Sequence, residues 1–200
     1  MKSNVCKIEN GTKDLAAILK ESEKVAVYNE LTHKQALQLR LICEEIDGML
    51  PNIIDDFDGD FWIEYDEGVC KVNASIRIPE FNTEKKERLI KIAKDKKNAA
   101  VTGIAGKIRD AIENFFLDET MAEGFSTSPA FSHLSSSFGC EGMDYSYFWS
   151  LEDYRCSARR EEKTQVWDEL EMSVIASAAD DVIVGVKGKR ADIIVVKKFV

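Results

Sequence analysis

Paired cysteines are missing from this 200-residue sequence. The five cysteines present (Cys6, Cys43, Cys70, Cys140 and Cys156) are scattered and odd in number, and no C-x-x-C occurs. That excludes a disulfide framework and points to free thiols in a reducing cytoplasm. Histidine is scarce as well. His33 and His133 are too few to complete a shared metal site with the thiols. Long apolar runs are lacking, so no segment is expected to span a bilayer. The start, Met1 to Cys6, has no apolar signal-peptide core, and a cytoplasmic chain without a membrane partner is expected. Positive charge is in deficit: 27 Lys and Arg stand against 36 Asp and Glu, a net charge of −9. Such a chain repels nucleic acid as a whole. One stretch, Glu84 to Lys97, runs the other way, with seven positive and three negative side chains. Without stacking aromatics it reads as a solvated helix face and not as a nucleic-acid contact.

What is present is an ordinary apolar share, 44%, which supports a sizeable core in a single domain over residues 1–200. Thr12 is placed to cap a helix running to about Tyr28. Thr32 and Gln35 form a capping box ahead of a second helix. That helix carries Ala36, Leu39, Ile42, Cys43, Ile46 and Met49 on one side. Pro51 is expected to end or kink it.

A hairpin follows. Phe61, Ile63 and Tyr65 alternate with polar residues, Asp66-Glu67-Gly68 turns the chain, and Cys70, Val72, Ala74, Ile76 and Ile78 alternate with Lys71, Asn73, Ser75 and Arg77. This period of two predicts one buried and one solvated face. Thr83 opens a charged helix. Val101, Ile104, Ile108, Ile112 and Phe116 mark another. Residues 124–142, rich in Ser, Gly and Phe, read as a long loop of the kind that is usually functional or mobile. Tyr145 to Leu151 suggests a strand, and Thr164 caps a helix through Ala178. Two strands, Val182 to Val186 and Ala191 to Val196, close the chain around Gly188. The expected architecture is α+β: a mixed, mostly antiparallel sheet with helices on one face.

Several chemical motifs fail on their own residues. Asp56-Phe57-Asp58-Gly59-Asp60 with Glu67 spaces its acids like a calcium loop, but Phe61 stands where the loop needs glycine. It reads as an acidic turn before the hairpin. Gly106-Lys107 lacks both the first glycine and the Ser or Thr of a phosphate loop. Gly124 to Ser128 misses the last glycine of a nucleophile elbow.

The run from Leu39 to Leu50, followed by strand, turn and strand, resembles the GHKL ATPases, nearest to the bacterial anti-sigma-factor serine kinases and their histidine-kinase-like relatives. The tail, Leu170 to Val184 and then Ala191 to Phe199, resembles that family's closing helix and hairpin. The likeness covers about residues 12–80 and 164–200, and 83–163 would be an insertion or enlarged lid. The resemblance implies a Glu as base and an Asn for magnesium in E-x-x-x-N. It also implies an adenine-reading Asp in D-x-G-x-G and a glycine-rich turn at the phosphates. Here Glu45 matches the Glu, but Met49 occupies the Asn position, and Asp47 or Asn52 would have to take magnesium. Glu80 would have to read adenine without either glycine. Bulky residues from Leu170 to Ser173 replace the turn, where backbone must approach phosphate closely.

These departures predict a non-catalytic regulatory or interaction protein on a GHKL-like scaffold. It would need no cofactor and no metal, and its partner would be another protein, a homodimer included. The alternative is an anti-sigma-type serine/threonine kinase using ATP and magnesium, with Glu45 as base. A second alternative is a small-molecule binder or enzyme that uses the inserted region.

Overall fold

The computed structural model describes residues 1–10, 15–54, 56–77, 104–117, 147–160 and 173–199. The loop 124–142, the Thr83 helix, Thr12, Thr164, Cys140, His133 and Glu80 lie outside the described residues.

The chain order is β1 (Cys6–Glu9), α1 (Leu15–Tyr28), α2 (His33–Ile53), β2 (Asp58–Asp66), β3 (Val69–Arg77), α3 (Ile104–Leu117), β4 (Tyr147–Ser150), α4 (Leu151–Arg160), α5 (Val174–Ala178), β5 (Asp181–Lys187) and β6 (Arg190–Lys198). The strands form one open six-stranded sheet in the order β1-β2-β3-β6-β5-β4. Every neighbouring pair of described strands is antiparallel, where a mixed, mostly antiparallel sheet was expected. Tight two-residue turns join β2 to β3 and β5 to β6, and such turns can only make antiparallel neighbours.

The first of these turns is Glu67-Gly68, with φ of 46° and 85°. Two successive positive φ values match the strand twist, and glycine adopts its share without strain. The capping box at α2 is present: Thr32 accepts from the Gln35 amide and Gln35 accepts from the Thr32 amide. Pro51 does not end α2. It sits in the last turn, and the Ile54 amide closes the helix on the Leu50 carbonyl. Helix α1 ends in a Schellman motif, with Leu31 N–H on the Ala26 carbonyl and Glu30 N–H on the Val27 carbonyl.

One face of the sheet carries Phe61, Ile63, Val72, Ala74, Ile76, Val182, Val184, Ile193 and Val195. It shares a single core with Ile18 and Val25 of α1, seven residues of α2 from Leu39 to Ile53, Ile108 of α3, Leu151 of α4 and Ile175 of α5. All described helices contribute to this core, as expected. Helix α3 and strand β4, both from within 83–163, are integral parts of it and of the sheet.

Two boundaries differ from expectation. Leu151 begins α4 and is not strand, because Ser150 accepts the Asp153 amide and starts a helix there. Helix α5 begins at Val174, since Ser173 adopts extended backbone and caps it by accepting the Ala176 amide. Of the stripe read from Val166 to Ala178, residues 166–172 lie outside the described residues, and Ser173 is not helical. The acidic segment before the hairpin also differs: Asp58, Gly59 and Asp60 already belong to β2.

The second face is not simply solvated. Asn73 and Ser75 of β3 are buried there, beside a small apolar cluster of Ile183, Ile194 and Val196 with Val69 and Phe148 against it. The alternation in β3 marks two buried faces at mid-strand, with exposed Arg77 at the end.

Candidate functional site

The residues singled out on α2 do not converge. Glu45 and Asp47 are half-buried and Asn52 is exposed. Residues two apart on a helix point to different sides, so Glu45 and Asp47 cannot share one ion. Asn52 lies on the side of Glu45 but about 10 Å further along the axis. Its amide donates back to the Gly48 carbonyl at 3.4 Å. Between them, Met49 is 8% exposed and packs into the main core. Neighbouring Glu44 is engaged by Arg40 Nε at 3.0 Å.

Polar chemistry gathers elsewhere, at one end of the second sheet face. Strand registers place Glu9, Asp58, Arg77, Arg190 and Lys187 in one cross-sheet row. Lys7, Asp60, Ser75, Asp192, Gly185 and Phe148 form the next. Both rows lie on the same face because side chains alternate along each strand. A groove of about 480 Å³ opens over this end, lined by residues of β1, β2, β3 and the first residue of β6. Lys7 Nζ lies 2.6 Å from Asp60 Oδ1, and that oxygen is itself shielded from solvent. Arg77 Nη1 is 3.4 Å from Asp58 Oδ2, and Arg190 Nε donates to Asp192 Oδ1 at 3.0 Å. The first row thus runs from acid on β1 and β2 to base on β3, β6 and β5.

Gly59 sets the strand spacing beneath this groove. A Cβ there would stand 2.3 Å from the Ser75 carbonyl oxygen, so only glycine allows β2 and β3 to lie this close.

A second polar feature sits where β4 turns into α4. Asp181 is fully buried, and its Oδ1 accepts the amides of Glu152 at 3.0 Å and Val182 at 2.8 Å. Its Oδ2 is buried without a partner among the described residues. Burial pushes the carboxyl up to about 6 despite these two amides, and Glu152 and Asp153 add to the rise. Nearby, Arg155 donates to the carbonyls of Ala176 at 2.6 Å and Asp180 at 3.2 Å, tying α4 to the end of α5.

Two of the thiols, Cys43 and Cys70, are made inert by burial. Cys43 is held well above the ordinary thiol range by burial, and burial pushes Cys70 up to about 12. None of the four described cysteines is in a disulfide with another.

Sequence reasoning treated Arg77 and Ser75 as ordinary solvated residues and passed over Lys7, Asp181 and Arg190. The alternating signs around Asp58-Gly59-Asp60 and the run Lys187-Gly188-Lys189-Arg190 were the available signals. Among the described residues, no group of His, Cys, Asp and Glu is arranged to hold a metal ion. No described helix is long and apolar enough to cross a membrane.

The class defined is an α+β protein with an open, wholly antiparallel described sheet, helices against one face and a charged groove on the other. No known protein family matches the chain, and no curated protein and no solved structure matches it significantly.

Proposed function

We propose that this chain is a non-catalytic regulatory or interaction protein of a reducing cytoplasm, built on a GHKL-like scaffold. The order of α2, the β2–β3 hairpin, α5 and the β5–β6 hairpin is compatible with that scaffold. The observation that carries the reading is Met49. It stands where the resembling family places a magnesium-binding amide, and it is buried in the core. A thioether offers magnesium no hard oxygen, and a core side chain cannot turn outward without leaving a cavity. Asp47 does not substitute, because it points to a different side of the helix from Glu45, and Asn52 does not, because it lies two turns away from Glu45.

The contact surface for a protein partner is the charged end of the sheet. Its mixed signs favour a partner with a complementary charge pattern, since such patterns set specificity more than affinity. The rival reading, a serine kinase with Glu45 as base, requires phosphate to move from ATP.

Incubation of the purified chain with γ-labelled ATP and magnesium tests both. No phosphate release above the buffer blank and no labelled protein are expected. Label transfer to the chain or to a co-purifying partner, lost in Glu45→Ala, would establish the kinase instead.

A further inference from the structure

We propose that Arg77 and Arg190 form a phosphoryl-binding clamp at the charged end of the sheet. The two are direct cross-strand partners on one face. That register puts their Cβ atoms about 5 Å apart, a spacing at which like charges repel. A phosphoryl group between them removes the repulsion and matches the planar fork of each guanidinium.

Each arginine is steadied by one carboxylate and keeps further donors free for a ligand. Arg77 uses Nη1 toward Asp58, and Arg190 uses Nε toward Asp192. A guanidinium has five N–H groups, so these contacts orient the forks without exhausting them. The groove beside them, about 480 Å³, lies within the range of small-ligand sites. Ser75 lines it with its hydroxyl-bearing side chain and is only 5% exposed. That hydroxyl is a ready donor to a phosphoryl oxygen. The acidic wall of Glu9, Asp58 and Asp60 repels a bare polyanion, so the fit is to a single phosphoryl group on a neutral or positively charged body.

Such a group comes either from a free small molecule or from a phosphorylated side chain of a partner protein. The site lies on the face opposite α2 and is independent of whether α2 handles a nucleotide.

Calorimetric titration of the full chain with inorganic phosphate and with a short phosphoserine peptide, at constant ionic strength, tests the clamp. Saturable binding of at least one is expected. Arg77→Gln and Arg190→Gln should each weaken it about tenfold or more, the scale of one lost charge-assisted hydrogen bond. Lys20→Gln, on the exposed side of α1, should leave it unchanged. Saturation by phosphate itself assigns a small-molecule ligand, and saturation by the phosphopeptide alone assigns a partner side chain. Absence of saturable binding by both probes overturns the clamp. So does binding that both arginine variants, folded by circular dichroism, leave unaltered.

Discussion

The backbone N–H of Glu152 donates to Oδ1 of Asp181 at 3.0 Å, so the first turn of α4 is closed by a carboxylate buried at the start of β5. The other oxygen of that carboxylate has no partner among the described residues, and burial raises the pKa of the carboxyl from 3.8 to about 6. The native state therefore binds this proton more tightly than the unfolded chain. The stability this group contributes is full below pH 3.8 and is lost as pH rises through about 6. Two units correspond to roughly 3 kcal/mol. Asp181→Asn keeps an oxygen for both amides and removes the titration. Urea unfolding across this window should show the fall in the parent chain and its absence in the variant.

Glu21 has the opposite sign. Burial alone would raise its pKa, but Lys24 and Asn4 more than offset that and hold it below the usual 4.5. Asn4 donates both its backbone N–H, at 3.1 Å, and its side-chain amide, at 3.2 Å. The stabilisation is full above pH 4.5 and is lost as pH falls toward the lower native value. Glu21→Gln should cost about 1–3 kcal/mol near neutrality, the usual penalty for a disrupted buried charged hydrogen bond. Hydrogen exchange should also show faster opening of the Asn4 amide.

Glu30 occupies the left-handed position of the α1 Schellman motif, with φ of 53°. A side chain there is strained by about 1–2 kcal/mol. Glu30→Gly should therefore raise stability by about 0.5–1 kcal/mol, after the added freedom of the unfolded chain is counted. The denaturation midpoint should rise with an unchanged slope.

Gly59→Ala should be destabilising by about 1–3 kcal/mol, because the new methyl meets backbone and not a flexible side chain. The same variant should weaken phosphoryl binding by moving β2 against β3. Paired unfolding and binding measurements would show both effects, or refute the close approach by showing neither.

Local patterns were readable in the sequence, and long-range register was not. The capping box at Thr32, the apolar stripe from Leu39 to Met49 and the turn at Gly68 announce themselves within a few residues. Ser173 and Ser150 were missed as caps because one lies inside an apolar stripe and the other ends an aromatic run. The meeting of Arg77 with Arg190 depends on how β3 aligns with β6, which no local pattern encodes. Asp181 looks like any acid in a turn until the sheet and α4 bury it. The candidate set of Glu45, Asp47 and Asn52 came from a family likeness, and helix geometry separates its members.

The central claim is that α2 performs no nucleotide chemistry. The most direct measurement is the melting temperature of the double variant Arg77→Gln, Arg190→Gln, which removes both arginines of the proposed clamp, with and without millimolar ATP and magnesium. The account predicts no change. A saturable rise of several degrees that Glu45→Ala abolishes would contradict it.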